Sequence, residues 1–292
     1  MEYFSISQLA QFSGIKPHTI RIWEQRYHAL EPARTQGNTR SYDNSQLRRL
    51  LNIVSLSESG YKISELCTMP DAELFQLVKS SKLNDSKPGA SEFFISQLMS
   101  AAMDLNEQYF EEIFSNCLLK HGMKKSYTEV LCPLLIRMGL MWSTDTLPPA
   151  HEHYTSNFIR QKLFSAINFL PPPTGDKYEW LLFLPENEFH EIGLLFSHYL
   201  IRLSGGKSFY LGSNIPLASA NAAAKITKPS RILVYLVHHN LPEKQEAYIN
   251  ELVSLFKNKE IFIAGNENIF ENIELNKKVK TITNVNSLEQ LL

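Results

Sequence analysis

Basic and polar side chains near the N-terminus have types and spacings suited to contacting nucleic acid. Residues 1–49 contain seven Lys or Arg and four Asp or Glu, a local net charge of +3 in a chain whose total charge is −1. Pro17 is placed to begin a helix through HTIRIWEQRY. One face of that helix would present polar groups to base edges and phosphates. The predicted contact residues on it are His18, Thr19, Arg21, Arg26 and Tyr27.

The segment after this helix, EPARTQGNTRSYD, is rich in turn-forming residues and arginine and ends in the β-prone pair Ser41-Tyr42. Such a segment is typical of a wing, a β-loop that follows the DNA backbone beside a recognition helix. Its predicted contact residues are Arg34, Thr35, Asn38, Arg40 and Tyr42. Tyr42 fits either a core or a contact position. The alternative interpretation of the whole segment is a solvated charged surface.

Histidines offer a second kind of chemistry, metal ligation. His190 follows a predicted strand, and Glu188 lies two residues earlier, where a carboxylate can orient a neutral imidazole. A lone loop histidine is otherwise simply solvated. The triplet His151-Glu152-His153 suggests zinc, but i,i+2 spacing is poor for two ligands on one helix. Three cysteines without a CxxC pair argue against a cysteine zinc site and fit a reducing cytoplasm.

Short helices should position the basic residues. Ser5 can cap a helix through Phe12 that Gly14 ends, and the helix from Pro17 follows after the short turn of a helix-turn-helix. Asn44-Ser45 can cap a third helix. Its apolar stripe consists of Leu47, Leu50, Leu51, Val54 and Leu56. We predict a winged-helix domain over residues 1–78.

Two further domains should follow a polar linker over residues 79–91. Apolar positions recur at spacings of three and four through residues 92–170, which predicts a central four-helix bundle. From residue 174 to 292, continuous apolar runs such as Trp180 to Leu184 alternate with amphipathic stretches. That alternation predicts a multidomain chain that ends in an α/β doubly wound parallel sheet, with ligands at the carboxyl ends of the strands.

Composition excludes several classes of protein. The 292 residues are 43% hydrophobic and 20% charged, which is ordinary for a globular protein and unlike a disordered or collagen-like chain. No apolar run approaches the roughly 18–20 residues that span a bilayer, and the N-terminus lacks the pattern of a secretory signal. We expect a cytoplasmic protein with no membrane partner.

The N-terminal motifs resemble the winged-helix DNA-binding domain of the MerR family. The resemblance covers about 70 residues, from ISQLAQFSGIKPHTIRIWEQRY through PARTQGNTRSY to Gly60-Tyr61-Lys62-Ile63. The matching positions are Thr19, Arg21, Trp23, Glu24, Arg26, Tyr27, Pro32, Arg34, Thr35, Arg40, Tyr42 and Gly60. The resemblance implies binding to double-stranded operator DNA as a dimer or tetramer. The sequence predicts no long dimerisation helix after Ile63. Self-association is therefore expected to depend on residues 92–292, the body of the protein.

The rest of the chain resembles a cobalamin-binding module. Glu188-Phe189-His190-Glu191-Ile192-Gly193 resembles its Asp-x-His-x-x-Gly motif, whose histidine replaces the lower ligand of cobalt; Glu188 stands for the Asp. The resemblance implies that Gly212, in Leu-Gly-Ser-Asn-Ile-Pro, belongs to the turn after the second strand. Tyr235 lies where the family has a Ser lining the channel of the nucleotide tail, and Gly265 is what remains of a Gly-Gly pair. A tyrosine ring there is expected to fill space that the tail needs.

The helical region carries a fragment similar to light-sensing MerR-type repressors that use adenosylcobalamin. Trp142 is followed, after nine residues, by Glu152-His153, which the resemblance places over the upper face of the corrin. Those repressors have a His directly after the Trp, where this chain has Ser143. Trp142 is otherwise bundle core.

The motifs together predict a sequence-specific DNA-binding transcriptional regulator, not an enzyme. Its C-terminal module would control oligomerisation, by binding adenosylcobalamin or methylcobalamin with His190 on cobalt. One alternative is a sensor or oligomerisation module that has lost the cofactor. A corrinoid carrier protein is the other, and a basic wing has no role in a carrier.

Overall fold

The computed structural model describes residues 3–34, 39–80, 90–143, 147–174, 178–237, 242–270, 273 and 275–292. The chain divides into two compact units, Met1–Asn157 and Phe158–Leu292. The domain boundaries predicted from the sequence stay predictions.

The described residues up to Ser80 form five helices and three short strands in the N-terminal part of the first unit. In chain order they are β1 Tyr3–Phe4, α1 Ile6–Ser13, α2 Pro17–Tyr27, β2 Ala33–Arg34, β3 Arg40–Asp43, α3 Asn44–Glu58, α4 Ile63–Leu66 and α5 Asp71–Ser80. The strands form an antiparallel sheet of order β1-β3-β2. The predicted helix-turn-helix and wing are therefore both present, with β3 at the centre of the sheet.

Local capping explains where the first helices begin and end. Ser5 and Gln8 form a reciprocal capping box at the start of α1, and Gly14 ends that helix with a left-handed φ of 72°. Pro17 begins α2, as predicted. The prediction for α3 was wrong by one residue, because Asp43 is its cap and accepts a hydrogen bond from the Gln46 N–H. Aspartate provides a carboxylate acceptor for an N–H group that has no partner inside the helix.

The helical region after residue 90 contains the four predicted helices. They are α6 Ala90–Met103, α7 Glu107–Lys125, α8 Cys132–Ser143 and α9 Pro149–Asn168, with a π-helical segment, Ser126–Leu131, between α7 and α8. Gly122 interrupts α7 with a non-helical backbone, φ 69° and ψ 167°. Neither the interruption nor the π-helical segment was predicted.

A buried polar network joins α3 to α6 and α7 within the first unit. The Gln97 side-chain amide donates to the Ser55 hydroxyl (2.6 Å) and to the side-chain Oδ1 of Asn52 (3.4 Å), and its own Oε1 accepts from the Tyr109 hydroxyl (2.7 Å). Gln97 and Ser55 are fully buried. Because buried polar groups are costly without partners, this network fixes the packing of the three helices.

The second unit is an α/β domain with a five-stranded parallel sheet. Its elements are β4 Glu179–Phe183, α10 Ile192–Leu203, β5 Lys207–Gly212, α11 Leu217–Thr227, β6 Arg231–Tyr235, α12 Pro242–Leu255, β7 Glu260–Ala264, α13 Glu267–Phe270, β8 Val279–Ile282 and α14 Val285–Glu289. The strand order is β5-β4-β6-β7-β8. In chain order the sheet extends from β4 to β5 on one side and from β6 to β8 on the other, so the order of the strands changes direction between β4 and β6. Open parallel sheets bind ligands at the carboxyl ends of the strands beside such a point.

The sheet is buried on both faces, which confirms the predicted doubly wound architecture. Leu181 and Ile232 pack with residues of α11 and α12 in one core cluster. The alternate residues Leu182 and Leu233 are also fully buried, as expected when helices cover both faces. None of the helices in the described part of the chain combines the length and apolar composition needed to cross a membrane.

Candidate functional site

Helix α2 exposes a polar face with a basic residue at its centre. His18, Arg21 and Gln25 are exposed and lie at spacings of three and four, so they share one side of the helix. Arg26 is exposed on the adjacent side, with its guanidinium 5.7 Å from the centre of the Tyr27 ring. Sequence reasoning missed Gln25, although the spacing from His18 and Arg21 would have identified it. The face combines donors for phosphates with an amide suited to base edges.

The wing consists of strands β2 and β3 in antiparallel register. Arg34 lies opposite Arg40 across the two strands. Arg34 is exposed, whereas Arg40 is half-buried. Thr35 and Asn38, two of the predicted contact residues, lie outside the described residues. Arg34 and Arg40 are therefore cross-strand neighbours in the wing.

The carboxylate of Glu24 connects α2 to the wing. It is 7% exposed and accepts a hydrogen bond from the Tyr42 hydroxyl at Oε1 (2.5 Å). Its Oε2 lies 3.0 Å from Nε of Arg40. Burial of Tyr42, followed by its bond to Glu24, raises the pKa of the phenol well above its usual value, so it stays a hydrogen-bond donor.

Tyr42 is removed from the predicted set of DNA contacts. Its side chain is fully buried, and its hydroxyl is committed to Glu24. The ring therefore belongs to the core beneath the wing, the other position that the sequence allowed. Thr19 and Tyr27 are half-buried on α2.

At the carboxyl end of β4, a buried carboxylate orients a histidine. One oxygen of Glu188 accepts from the backbone N–H groups of Phe189 (2.9 Å) and His190 (3.0 Å) and bonds to Nδ1 of His190 (2.8 Å). Glu188 is 7% exposed, whereas the imidazole is 46% exposed. The longer Glu side chain thus still reaches the imidazole. A histidine held this way at Nδ1 is arranged as metal-ligating histidines commonly are.

A tyrosine ring occupies the space between β6 and the start of α10. A methyl group at Gly193 would lie 2.8 Å from Cε1 of Tyr235, and the Tyr235 hydroxyl lies 2.9 Å from the Ser197 hydroxyl. The edge of the Tyr235 ring therefore packs against Gly193, and its oxygen bonds to the Ser197 hydroxyl. This is the region in which the sequence predicted a blocked channel.

The glycines predicted beside the site lie at strand ends. Gly212 ends β5, where the Leu184 N–H donates to its carbonyl oxygen (2.9 Å). Gly265 follows β7, and a methyl group on it would lie 2.7 Å from the carbonyl oxygen of Leu236. Only glycine permits that close approach of the backbone.

A second charged group, not predicted from the sequence, lies on the same loop. Nε of Arg160 is 2.8 Å from Oε1 of Glu191, and the Tyr210 hydroxyl donates to Oε2 of Glu191 (2.8 Å). Beside it, the ring of His198 stacks on Tyr210. Burial, with a smaller effect of Arg202, lowers the pKa of His198 to about 4, so its imidazole is neutral at physiological pH. The contacts of Arg160 and Tyr210 with Glu191 fix the residue that directly follows His190.

The residues predicted for an upper face lie in the first unit. Trp142 is 44% exposed. Nδ1 of His153 is 2.9 Å from Glu152, and the imidazole is 71% exposed. Within the described residues, no group of three His, Cys, Asp or Glu side chains is arranged to hold a metal ion.

Comparisons with known proteins identify both parts of the chain. The family of MerR HTH regulatory proteins matches residues 4–71, and the B12 binding domain matches residues 95–165. Residues 4–71 therefore carry a MerR-type helix-turn-helix, and residues 95–165 match a B12 binding domain. The chain is 28% identical to the HTH-type transcriptional repressor CarH of Myxococcus xanthus, over 77% of this chain and 76% of that protein. It is also 28% identical to CarA of the same organism, over 82% and 78%.

One solved structure is similar in fold to part of this chain. The monomethylamine corrinoid protein of Methanosarcina barkeri covers 69% of this chain and 97% of its own, with a TM-score of 0.51 and 14% identity. The MerR match over residues 4–71 includes the polar face of α2 and strands β2 and β3 of the wing. The B12-binding match covers Trp142, Glu152 and His153 but ends before His190.

Proposed function

We propose that this chain regulates transcription by binding operator DNA through α2 and the wing. The observation that carries the proposal is the exposed face of α2, with Arg21 between His18 and Gln25, in a segment that matches MerR regulators. Two copies would read two half-sites, as helix-turn-helix dimers do. We propose a dimer or tetramer in solution, which sedimentation of the full-length chain would measure.

Replacement of Arg21 by alanine should flatten the salt dependence of DNA binding. If all four of Arg21, Arg26, Arg34 and Arg40 neutralise one phosphate each, a dimer neutralises at most about eight, and the slope of log K against log salt is no steeper than about −7. Arg21→Ala should reduce that slope by about 2 per dimer, with weaker binding to all sequences. Fluorescence anisotropy at several salt concentrations measures the slope.

The matched control is Gln25→Ala, which changes the same face of α2 without changing its charge. It should leave the slope unaltered while reducing the preference for one DNA sequence over another. An Arg21→Ala protein that binds DNA with the wild-type slope would remove Arg21 from the phosphate contacts.

We further propose that the ligand of the body is a cobalamin. The donor set fits a cobalt ion, because Glu188 holds the imidazole of His190 by its Nδ1. Adenosylcobalamin or methylcobalamin would supply a cobalt–carbon bond above the corrin. His190 would hold the metal, and Trp142, Glu152 and His153 are the residues that the resemblance assigns to the organic ligand of cobalt. The ligand would bind one assembly of the protein better and so change its affinity for DNA.

The space for the nucleotide tail fits less well. Tyr235 occupies the region beside Gly193, so we expect weak binding, or binding with the tail outside the usual channel. That observation also favours the second candidate, a regulator whose body assembles the protein without a cofactor.

His190→Ala should change the visible absorption spectrum of the bound cobalamin, because it removes the lower nitrogen from cobalt. Titration of the full-length protein with adenosylcobalamin in the dark measures the spectrum. His18→Ala, a matched change on the DNA-binding face, should leave it unchanged. A spectrum that is identical in wild type and His190→Ala would contradict ligation by His190.

A further inference from the structure

The contacts at Glu24 join helix α2 to the wing. Both carboxylate oxygens are engaged, one by the Tyr42 hydroxyl and the other by the Arg40 guanidinium. Tyr42 and Arg40 are residues of β3, the central strand of the small sheet. A single side chain of α2 thus holds the strand to which β1 and β2 are both paired.

Because Glu24 is buried, its carboxylate depends on both of these partners. A buried carboxylate is strongly disfavoured unless partners compensate it, and removal of one partner leaves the charge uncompensated. Glu24 is 7% exposed and Tyr42 is fully buried. Both partners of the buried carboxylate, Tyr42 and Arg40, come from β3.

The same contacts change the electrostatic role of Arg40. Its guanidinium lies 3.0 Å from a carboxylate and its side chain is 29% exposed. The Arg40–Glu24 pair carries no net charge, so it offers a phosphate much less attraction than an isolated arginine. Arg21, by contrast, is exposed on α2.

We propose that Glu24 is a positioning residue for DNA binding, which together with Arg40 holds the wing in place against α2. In this arrangement the Arg40 guanidinium does not neutralise a phosphate. The proposal rests on the proposed function, DNA binding through α2 and the wing. It predicts about six neutralised phosphates per dimer where four arginines per protomer would give eight.

The sign of the effect of Glu24→Gln decides between the two roles of Arg40. If Glu24 positions the wing, Glu24→Gln lowers affinity for the preferred duplex about tenfold, and neither it nor Arg40→Ala flattens the salt slope. If Arg40 contacts a phosphate, Glu24→Gln releases it and raises affinity, and Arg40→Ala flattens the slope by about 2 per dimer. The latter pair of results would overturn the proposal.

The experiment uses the full-length chain and the duplex that wild type selects from a randomised pool. Hydroxyl-radical footprinting supplies a readout that a merely destabilised protein would not give: Glu24→Gln should lose protection of the backbone under the wing while protection by α2 is kept. The double variant Glu24→Gln/Arg40→Ala should bind no more weakly than Arg40→Ala. Additive losses would overturn the coupling of the two residues.

Two controls keep the outcomes separate. Tyr42→Phe retains the buried ring and loses only the hydroxyl, so it tests the positioning of the wing even if Glu24→Gln does not fold; wild-type footprint and affinity in Tyr42→Phe would overturn the proposal. A wild-type protein that selects no duplex would overturn the proposed function itself. Arg21→Ala, measured alongside, shows the slope change that a lost phosphate contact produces.

Discussion

Tyr235→Ser should strengthen the binding of adenosylcobalamin to the full-length chain about thirtyfold. The Tyr235 ring lies against Gly193 and is anchored through its hydroxyl to Ser197. A ligand that must displace such a ring meets an overpacked site, which costs about 1–3 kcal/mol, and about 2 kcal/mol corresponds to a factor of about thirty in Kd. Equilibrium titration followed by visible absorption gives the Kd.

Two variants separate the ring from its hydrogen bond. Tyr235→Phe retains the ring and should bind as weakly as wild type. Ser197→Ala removes the hydroxyl that lies 2.9 Å from the Tyr235 hydroxyl and should give at most a small gain. Tight binding by wild type that Tyr235→Ser leaves unchanged would show that the ring does not obstruct the ligand.

Gln97→Leu should lower the free energy of unfolding of the first unit by about 3 kcal/mol. The substitution keeps the volume but removes the hydrogen bonds that the Tyr109 hydroxyl and Oδ1 of Asn52 make with Gln97 in the wild type. Removing a partner of a buried polar group costs about 1–3 kcal/mol. Urea denaturation followed by circular dichroism measures the change in the unfolding midpoint.

The matched control is Gln76→Leu, on the exposed side of α5. Surface substitutions usually change stability by less than about 0.5 kcal/mol, so Gln76→Leu should unfold close to the wild-type midpoint. A Gln97→Leu protein with an unchanged midpoint would show that the network contributes nothing to stability.

The sequence predicts best those elements whose signals are local. Ser5, Gly14 and Pro17 delimit the first two helices because caps and proline act on their own backbone. The buried strand β4 is an apolar run that needs no partner to be visible. Strand β8, Val279–Ile282, was missed because Lys280 and Thr281 are exposed at the edge of the sheet. An edge strand is buried on fewer sides and has no continuous apolar run.

The site shows the same limit. The pairing of Glu188 with His190 was predictable, because two residues of one loop meet through local geometry. The burial of Tyr42 was not, since its partner Glu24 is 18 residues away and belongs to another element. Arg160 and Tyr210 likewise meet only at Glu191, through the fold of the α/β unit.

The buried network at Gln97 limits which C-terminal regions can be joined to this N-terminal segment. Helix α3 of the DNA-binding segment presents Asn52 and Ser55 to α6, and neither is a residue type that packs against an arbitrary surface. Arg48 and Asp104 add an ion pair of 2.9 Å between the same two regions. A chimera that joins this N-terminal segment to a foreign body would therefore bury polar groups without partners, unless α6 is transferred with it.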